Sequence, residues 1–254
     1  MNNKLKSSKD ALVLALDVDT KEQAIDLVNE LKDYIGTYKI GLQLLMSEGP
    51  EFVRYIKSQG CKIFLDGKFH DIPNTVAKAS ANAVRLEVDI FNIHASGGSN
   101  MLKAAVKETI TTAKNYNLKE PIILGVTLLS SIDQEILSKE LKISDNINNY
   151  VTQLAKLSKE CGLGGVVASV KEASLIRSAC GNDFVILCPG IRPEWSLTND
   201  QKRVATPYEA MNNGANLLVV GRPITEAPDK IWATKKILDE IELSLNNKRL
   251  VLNI

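Results

Sequence analysis

Short runs of β-branched and aliphatic residues return along this chain at near-regular intervals, each followed by a stretch whose apolar positions recur at helical spacing between polar ones. Eight such units can be counted. The runs that read as strands are Ala11–Val18, Tyr38–Leu42, Lys62–Leu65, Ile90–His94, Ile122–Leu128, Gly165–Ser169, Phe184–Pro189 and Leu217–Gly221. Helical spacing occupies Lys21–Tyr34, Pro50–Gln59, Asn74–Arg85, Asn100–Tyr116, Tyr150–Cys161, Lys171–Ala179, Pro207–Asn213 and Asp229–Leu245. Strands alternating with helices imply right-handed crossovers and a parallel sheet, and eight repeats in a chain of this length fit a closed barrel. The pattern therefore predicts an α/β protein, a (β/α)8 TIM barrel built as a single domain over residues 1–254, with residues 1–10 as a polar N-terminal extension. A doubly wound open sheet is the competing architecture. It is disfavoured because "LALDVDTKEQ" stands after the first strand in place of a G-x-G-x-x-G turn. The segment Ser131–Asn148 is long for a connection and is expected to add a short helix of its own.

Composition narrows the functional classes. The formal net charge is +1, from 31 Lys+Arg against 30 Asp+Glu, so no global field favours nucleic acid or an anionic membrane, and an anionic ligand must be held by local groups. The N-terminus carries no signal-peptide core and no apolar run is long enough to span a bilayer, so a cytoplasmic protein is expected. Cys61, Cys161, Cys180 and Cys188 are widely spaced with no C-x-x-C pair, which points to free thiols rather than a metal knuckle or redox pair.

If the fold is a barrel, polar residues at the C-terminal ends of its strands share one mouth, where such folds keep their active sites. The stretch "FLDGKFHDIPNT" gathers Asp66, Lys68, His70 and Asp71 directly after an apolar run. Asp66 and Lys68 are two apart and are expected on one face of an extended chain. Lys39, from the neighbouring strand, could reach Asp66 and complete a Lys–Asp–Lys alternation in which each charge keeps the next ionised. Asp71 falls in the loop before the helix start at Pro73, off that face, and is expected to point outward toward a partner subunit. Asp17, Thr127, Ser130, Gly221 and Arg222 are further polar strand-end residues. The turns "CPGIRP" and "VVGRPIT" each offer a glycine amide and a guanidinium after the seventh and eighth strands, a common phosphate seat in barrels. His70 and His94 are the only histidines, too few for a His-rich metal site, and each is expected to be structural.

Taken together, these residues resemble a known signature. "LDGKFHDIPNT" is similar to the D-x-K-x-x-D-I-P-x-T motif of the orotidine 5′-phosphate decarboxylase family, and "LALDV", "YKIGLQLL", "NIHASGG", "GVTLLSS", "CPGIRP" and "VVGRPIT" follow in that family's order along nearly the whole chain. The resemblance implies conversion of orotidine 5′-monophosphate to uridine 5′-monophosphate (UMP) and CO2, without cofactor or metal. It implies Lys68 as proton donor to carbon 6 of the pyrimidine and Asp66 as the carboxylate beside the departing CO2. Lys39 and Asp17 would hold the ribose hydroxyls, and Ser130 would contact the base. Gln201, Gly221 and Arg222 would grip the phosphate, with Arg192 a further substrate contact. Asp71 and Thr75 would enter from the other chain of a homodimer with shared active sites. Two rivals stand beside it: a metal-dependent sugar-phosphate decarboxylase or aldolase of the same barrel type, and a non-catalytic nucleotide-binding barrel. The segment Ile191–Gln201 is the candidate closing loop, and Trp195 within it is expected to be an exposed aromatic.

Overall fold

The structure, a computed structural model, describes residues 7–196 and 205–252, the side chains of 249–252 excepted. Along the chain run α1 (Ser8–Ala11), β1 (Leu12–Ala15), α2 (Lys21–Leu31), β2 (Thr37–Gly41), α3 (Leu42–Ser58), β3 (Ile63–Phe69), α4 (Pro73–Arg85), β4 (Ile90–His94), α5 (Gly98–Tyr116) and β5 (Ile122–Val126). These are followed by α6 (Ile147–Glu160), β6 (Gly165–Val167), α7 (Val170–Cys180), β7 (Val185–Cys188), α8 (Pro207–Asn212), β8 (Leu217–Val220), α9 (Arg222–Thr225) and α10 (Lys230–Leu252). Strands β1 to β8 pair in sequence order, all parallel, and β8 closes on β1. The open-sheet alternative is thereby overturned: β1 is hydrogen-bonded on both edges, leaving no free strand.

Alternation along the strands divides the apolar residues into two cores. Val13, Ala15, Phe64, Ile90, Leu124, Val185, Leu187, Leu217 and Val219 fill the barrel interior. Leu12, Leu14, Ile40, Ile63, Leu65, Phe91, Ile93, Ile186 and Leu218 face outward and are covered by the helices. Because one residue shifts the side chain to the opposite face, this alternation fixes which strand residues can reach the interior. Gly165 marks a place where backbones approach closely: a Cβ there would lie 2.2 Å from the Val185 carbonyl oxygen.

Three local expectations change. Residues 8–10 of the polar extension are not appended to the fold: Ser7 caps α1, which packs against β8 and α10, and Lys9 donates to the carbonyls of Lys32 and Asp33. Residues 42–48, read in part as strand, are helical, and α3 kinks at Gly49 (φ 67°), where Pro50 restarts the helix. The expected short helix within 131–148 is a single π-helical turn, Ile136–Glu140. The four cysteines are free thiols, three of them buried.

The N-terminal end of the barrel is tied by charged side chains. Arg177 Nη1 donates to the carbonyls of Gly181 and Phe184 at 2.7 Å, while Nη2 donates to the Gly214 carbonyl at 2.7 Å and to Asn216 Oδ1 at 2.5 Å. One guanidinium thus joins α7, β7 and the approach to β8. Asp89 accepts from Lys57 Nζ at 2.7 Å and from the Ile63 amide at 3.0 Å, fastening α3 to the start of β3. Replacing Arg177 by Met keeps the aliphatic stem but leaves several acceptors without a donor, so Arg177→Met is expected to lower unfolding free energy by about 3 kcal/mol. Urea denaturation checks this; an unchanged midpoint would remove the clamp from the stability of the fold.

Candidate active site

Continuing the interior alternation two residues past the apolar layer reaches Asp17 beyond Ala15, Asp66 beyond Phe64 and Asn92 beyond Ile90. Lys39 is paired by register between Ala15 and Phe64. These strand ends assemble a chain of alternating charge. Lys39 Nζ lies 2.8 Å from Asp17 Oδ1 and 3.4 Å from Asp66 Oδ2, and Lys68 Nζ lies 2.6 Å from Asp66 Oδ1. The ladder grades from buried to open: the Lys39 and Asp66 side chains are 9% and 12% exposed, that of Lys68 31% and that of Asp17 55%. Burial by itself would push the Asp66 carboxyl up, but Lys39 and the hydrogen bonds from Lys68 and Asn92 outweigh it and hold the group below its ordinary value. The carboxylate is therefore ionised between two ammonium groups.

Asp66 and Lys68 do share a face, but not through regular pleating. Pairing of β3 with β4 shifts between Leu65 and Phe69, and Lys68 adopts φ +47°, in the left-handed region that side-chain-bearing residues seldom visit. Asn92, which the sequence reading did not single out, bridges this break: its Nδ2 donates to Asp66 Oδ1 at 2.7 Å and its Oδ1 accepts from the Lys68 amide at 2.7 Å. A second unflagged residue is Gly41, where a Cβ would come within 3.0 Å of Lys39 Nζ and 3.3 Å of Asp17 Oδ1. The lack of a side chain there leaves room for the ion pair.

The remaining candidates fall into three groups. Asp71 and Thr75 are exposed and are joined to the ladder of their own chain by no hydrogen bond or ion pair among the described residues; Asp71 Oδ1 accepts from the Ile72 amide. Ser130 lines a cleft of about 900 Å³ between the ends of β5, β6 and β7, together with Ser169, Glu172, Pro189 and Gly190. Arg192 and Arg222 line a second cleft, about 580 Å³, with Trp195 and Trp232, and Gly221 immediately precedes Arg222 at the end of β8. Neither cleft is lined by Asp66 or Lys68; the ladder occupies the β1–β4 side of the mouth and the clefts the β5–β8 side. Burial and the proximity of Arg222 both lower Arg192, with Glu226 opposing them. Trp195 is exposed by 40%, and it also packs edge-on against Trp232 at 5.1 Å between ring centroids. Gln201 lies outside the described residues. Among the described residues no group of three or more His, Cys, Asp or Glu side chains is placed to hold a metal ion.

Comparison with known proteins now decides the family. Residues 10–237 match the model described as "Orotidine 5'-phosphate decarboxylase / HUMPS family". The chain belongs to this family. It is 45% identical over 236 residues to the orotidine 5'-phosphate decarboxylase of Syntrophomonas wolfei, covering 92% of this chain and 99% of that one. It is 49% identical over 233 residues to the protein of that name from Carboxydothermus hydrogenoformans, covering 91% and 95%. The crystal structure of orotidine 5'-phosphate decarboxylase from Lactobacillus acidophilus superposes with a TM-score of 0.80 at 35% identity, over 91% of this chain and 98% of that one.

The two histidines of the decarboxylase-family motifs stack on each other beside the ladder, with ring centroids 5.1 Å apart and planes 26° apart. Burial, then His70, then Lys68 lower the His94 pKa from 6.5, and Asp66 opposes them. A depressed value means the folded state binds fewer protons than the unfolded one, so this stabilisation is complete above the ordinary histidine range and is lost as pH falls through the folded value. Stability should therefore decline as pH falls below the ordinary histidine value of 6.5, and His94→Asn should flatten that slope. Denaturant midpoints measured across the range test this, and identical slopes in both proteins would exclude His94 as the source.

Proposed function

We propose a division of labour for an enzyme that decarboxylates orotidine 5′-monophosphate to UMP, the step that completes the pyrimidine nucleotide. Loss of CO2 leaves an electron pair in the ring plane at carbon 6, where no conjugated carbonyl can accept it, so preorganised charge must stabilise it. The observation that carries the reading is the Asp17–Lys39–Asp66–Lys68 ladder at the barrel mouth. Lys68 provides the positive charge nearest the developing carbanion. As the bond from carbon 6 to the carboxylate breaks, its electron pair stays on carbon 6 and takes a proton from Lys68 Nζ; the resulting amine regains its proton from solvent. Asp66 lies beside the substrate carboxylate, whose negative charge is lost on the way to the transition state. Lys39 and Asp17 take the ribose hydroxyls and Ser130 the base.

Phosphate recognition belongs to Arg192, Gly221 and Arg222, with Gln201 as a further ligand. Two neighbouring guanidiniums suit a dianion, and Arg222 follows the end of β8, the strand beside β1, so binding of the phosphate can be used to position the reacting carbon. No metal or organic cofactor enters the scheme, and the enzyme is cytoplasmic. Purified protein should remove the absorbance of orotidine 5′-monophosphate in the presence of EDTA, and Lys68→Ala should reduce turnover by at least about a thousandfold while UMP still binds. Loss of activity in EDTA with recovery in magnesium would overturn the metal-free mechanism.

Asp71 and Thr75 complete the site of a partner chain in a homodimer. Support comes from their exposure and from exposed apolar side chains after the ends of β2 and β3: Ile72, next to Asp71 in the chain, is 66% exposed, and Leu42 and Met46, in the helix that follows β2, are 51% and 81% exposed. Lys68→Ala and Asp71→Ala proteins should each be nearly inactive, yet a mixed dimer holds one doubly defective and one intact site. With half of randomly reassorted dimers mixed, about a quarter of all sites are native. Activity should return to roughly that fraction after subunit exchange. No recovery after verified exchange would assign Asp71 to its own chain.

A further inference from the structure

We infer that Asn92 is a positioning residue for the decarboxylation: it clamps the Asp66 carboxylate and the Lys68 backbone in the arrangement that presents the Lys68 ammonium to the barrel mouth. The inference rests on the reading of Lys68 as proton donor. Asn92 is 1% exposed, on the strand beside β3 and on the same interior face as Asp66. Its amide orientation is fixed by chemistry, because the two partners differ. The carboxylate oxygen can only accept and the Lys68 N–H can only donate, so Nδ2 must face the former and Oδ1 the latter.

Three features make the clamp more than a filler of volume. Where β3 and β4 lose register, the Lys68 amide has no regular ladder partner, and Asn92 Oδ1 supplies one. The left-handed backbone at Lys68 costs energy that its surroundings must offset, and the bond to its own amide acts at that residue. Asp66 Oδ1 receives both Asn92 Nδ2 and Lys68 Nζ, so the amide fills one side of that oxygen and leaves the other for the ammonium. A leucine at this position would match the shape of Asn92 but do none of this.

The test compares Asn92→Leu, Asn92→Asp and Lys68→Ala with wild type, reading kcat, KM, UMP affinity and the pH profile. Asn92→Leu should lose roughly 30- to 300-fold in kcat with KM within about twofold, the pattern of a lost alignment of the proton donor. Asn92→Asp sets a second carboxyl against Asp66, raising the apparent pKa of the pair; Lys39 on β2 and Lys68 on β3 oppose the rise, Asp17 on β1 adds to it, and His70 and His94 face it from the rim. Below that pKa a protonated Asp side chain restores one donor and one acceptor. The ratio of Asn92→Asp to wild-type kcat should therefore climb as pH falls, a change that simple loss of packing would not produce. Should Asn92→Leu fail to bind UMP, and so to fold, the pH-dependent ratio decides alone. Wild-type kcat in Asn92→Leu, a flat ratio for Asn92→Asp, or a rise in KM at constant kcat would each overturn the inference while Lys68→Ala stays inactive. Near wild-type turnover in Lys68→Ala would instead remove the proton-donor reading, and the inference with it.

Discussion

The Asp66 carboxylate, buried between two ammonium groups, is the constraint around which the mouth of this barrel is arranged. A charge withdrawn from water is tolerated only when paired and hydrogen-bonded, and Asp66 meets that condition through Lys39, Lys68 and Asn92, contributed by three successive strands. Closure of the sheet is what brings those strand ends to the same level. The interior alternation then ensures that Asp17, Asp66 and Asn92 point inward once the apolar layer ends. Lys39 in turn needs both Asp17 and Asp66, so the ladder is held as a unit, and Gly41 leaves it the space it occupies. A site assembled in this way has its charges in place before any ligand arrives, the property on which the proposed stabilisation of a carbanion draws.

Much of this was legible in the sequence. Runs of β-branched residues located all the strands, and the ends of β4 were placed to the residue, because an isolated apolar run bounded by Asp89 and the "ASGG" turn admits little else. Ion-pair partners could be named because charged residues that follow an apolar strand are conspicuous. What escaped was whatever carried neither charge nor a punctuating residue. Asn92 lies within "NIHASGG" with neither mark, and its signal is its place two residues past Ile90, on the strand beside Asp66. The helical turn at 42–48 was hidden because "YKIGLQLL" is apolar without a break, so strand and helix merge in it. The register break at Lys68 has no sequence marker, since lysine rarely takes that backbone conformation. Trp195 was read as merely exposed because its partner, Trp232, is remote in sequence and only the fold brings them together.

The geometry also separates two tasks that the sequence presents interleaved. Charged groups suited to the reacting carbon come from β1 to β4, whereas the cleft residues and the paired guanidiniums come from β5 to β8. The two halves meet where β8 pairs with β1 and where β4 pairs with β5. On the proposed assignment of the phosphate to the second half, a nonreacting part of the substrate fixes the position of the reacting part.

The left-handed backbone at Lys68 has an evolutionary corollary. For a residue with a Cβ this conformation is unfavourable by roughly 1–2 kcal/mol, whereas glycine adopts it freely. The backbone conformation, taken alone, favours glycine at position 68. Backbone strain and ion pairing therefore pull in opposite directions at this codon. Glycine would relax the backbone but leave Asp66 Oδ1 without its ammonium partner, so lysine is held at position 68 by the charge it sets beside a buried carboxylate and against the conformation it must adopt.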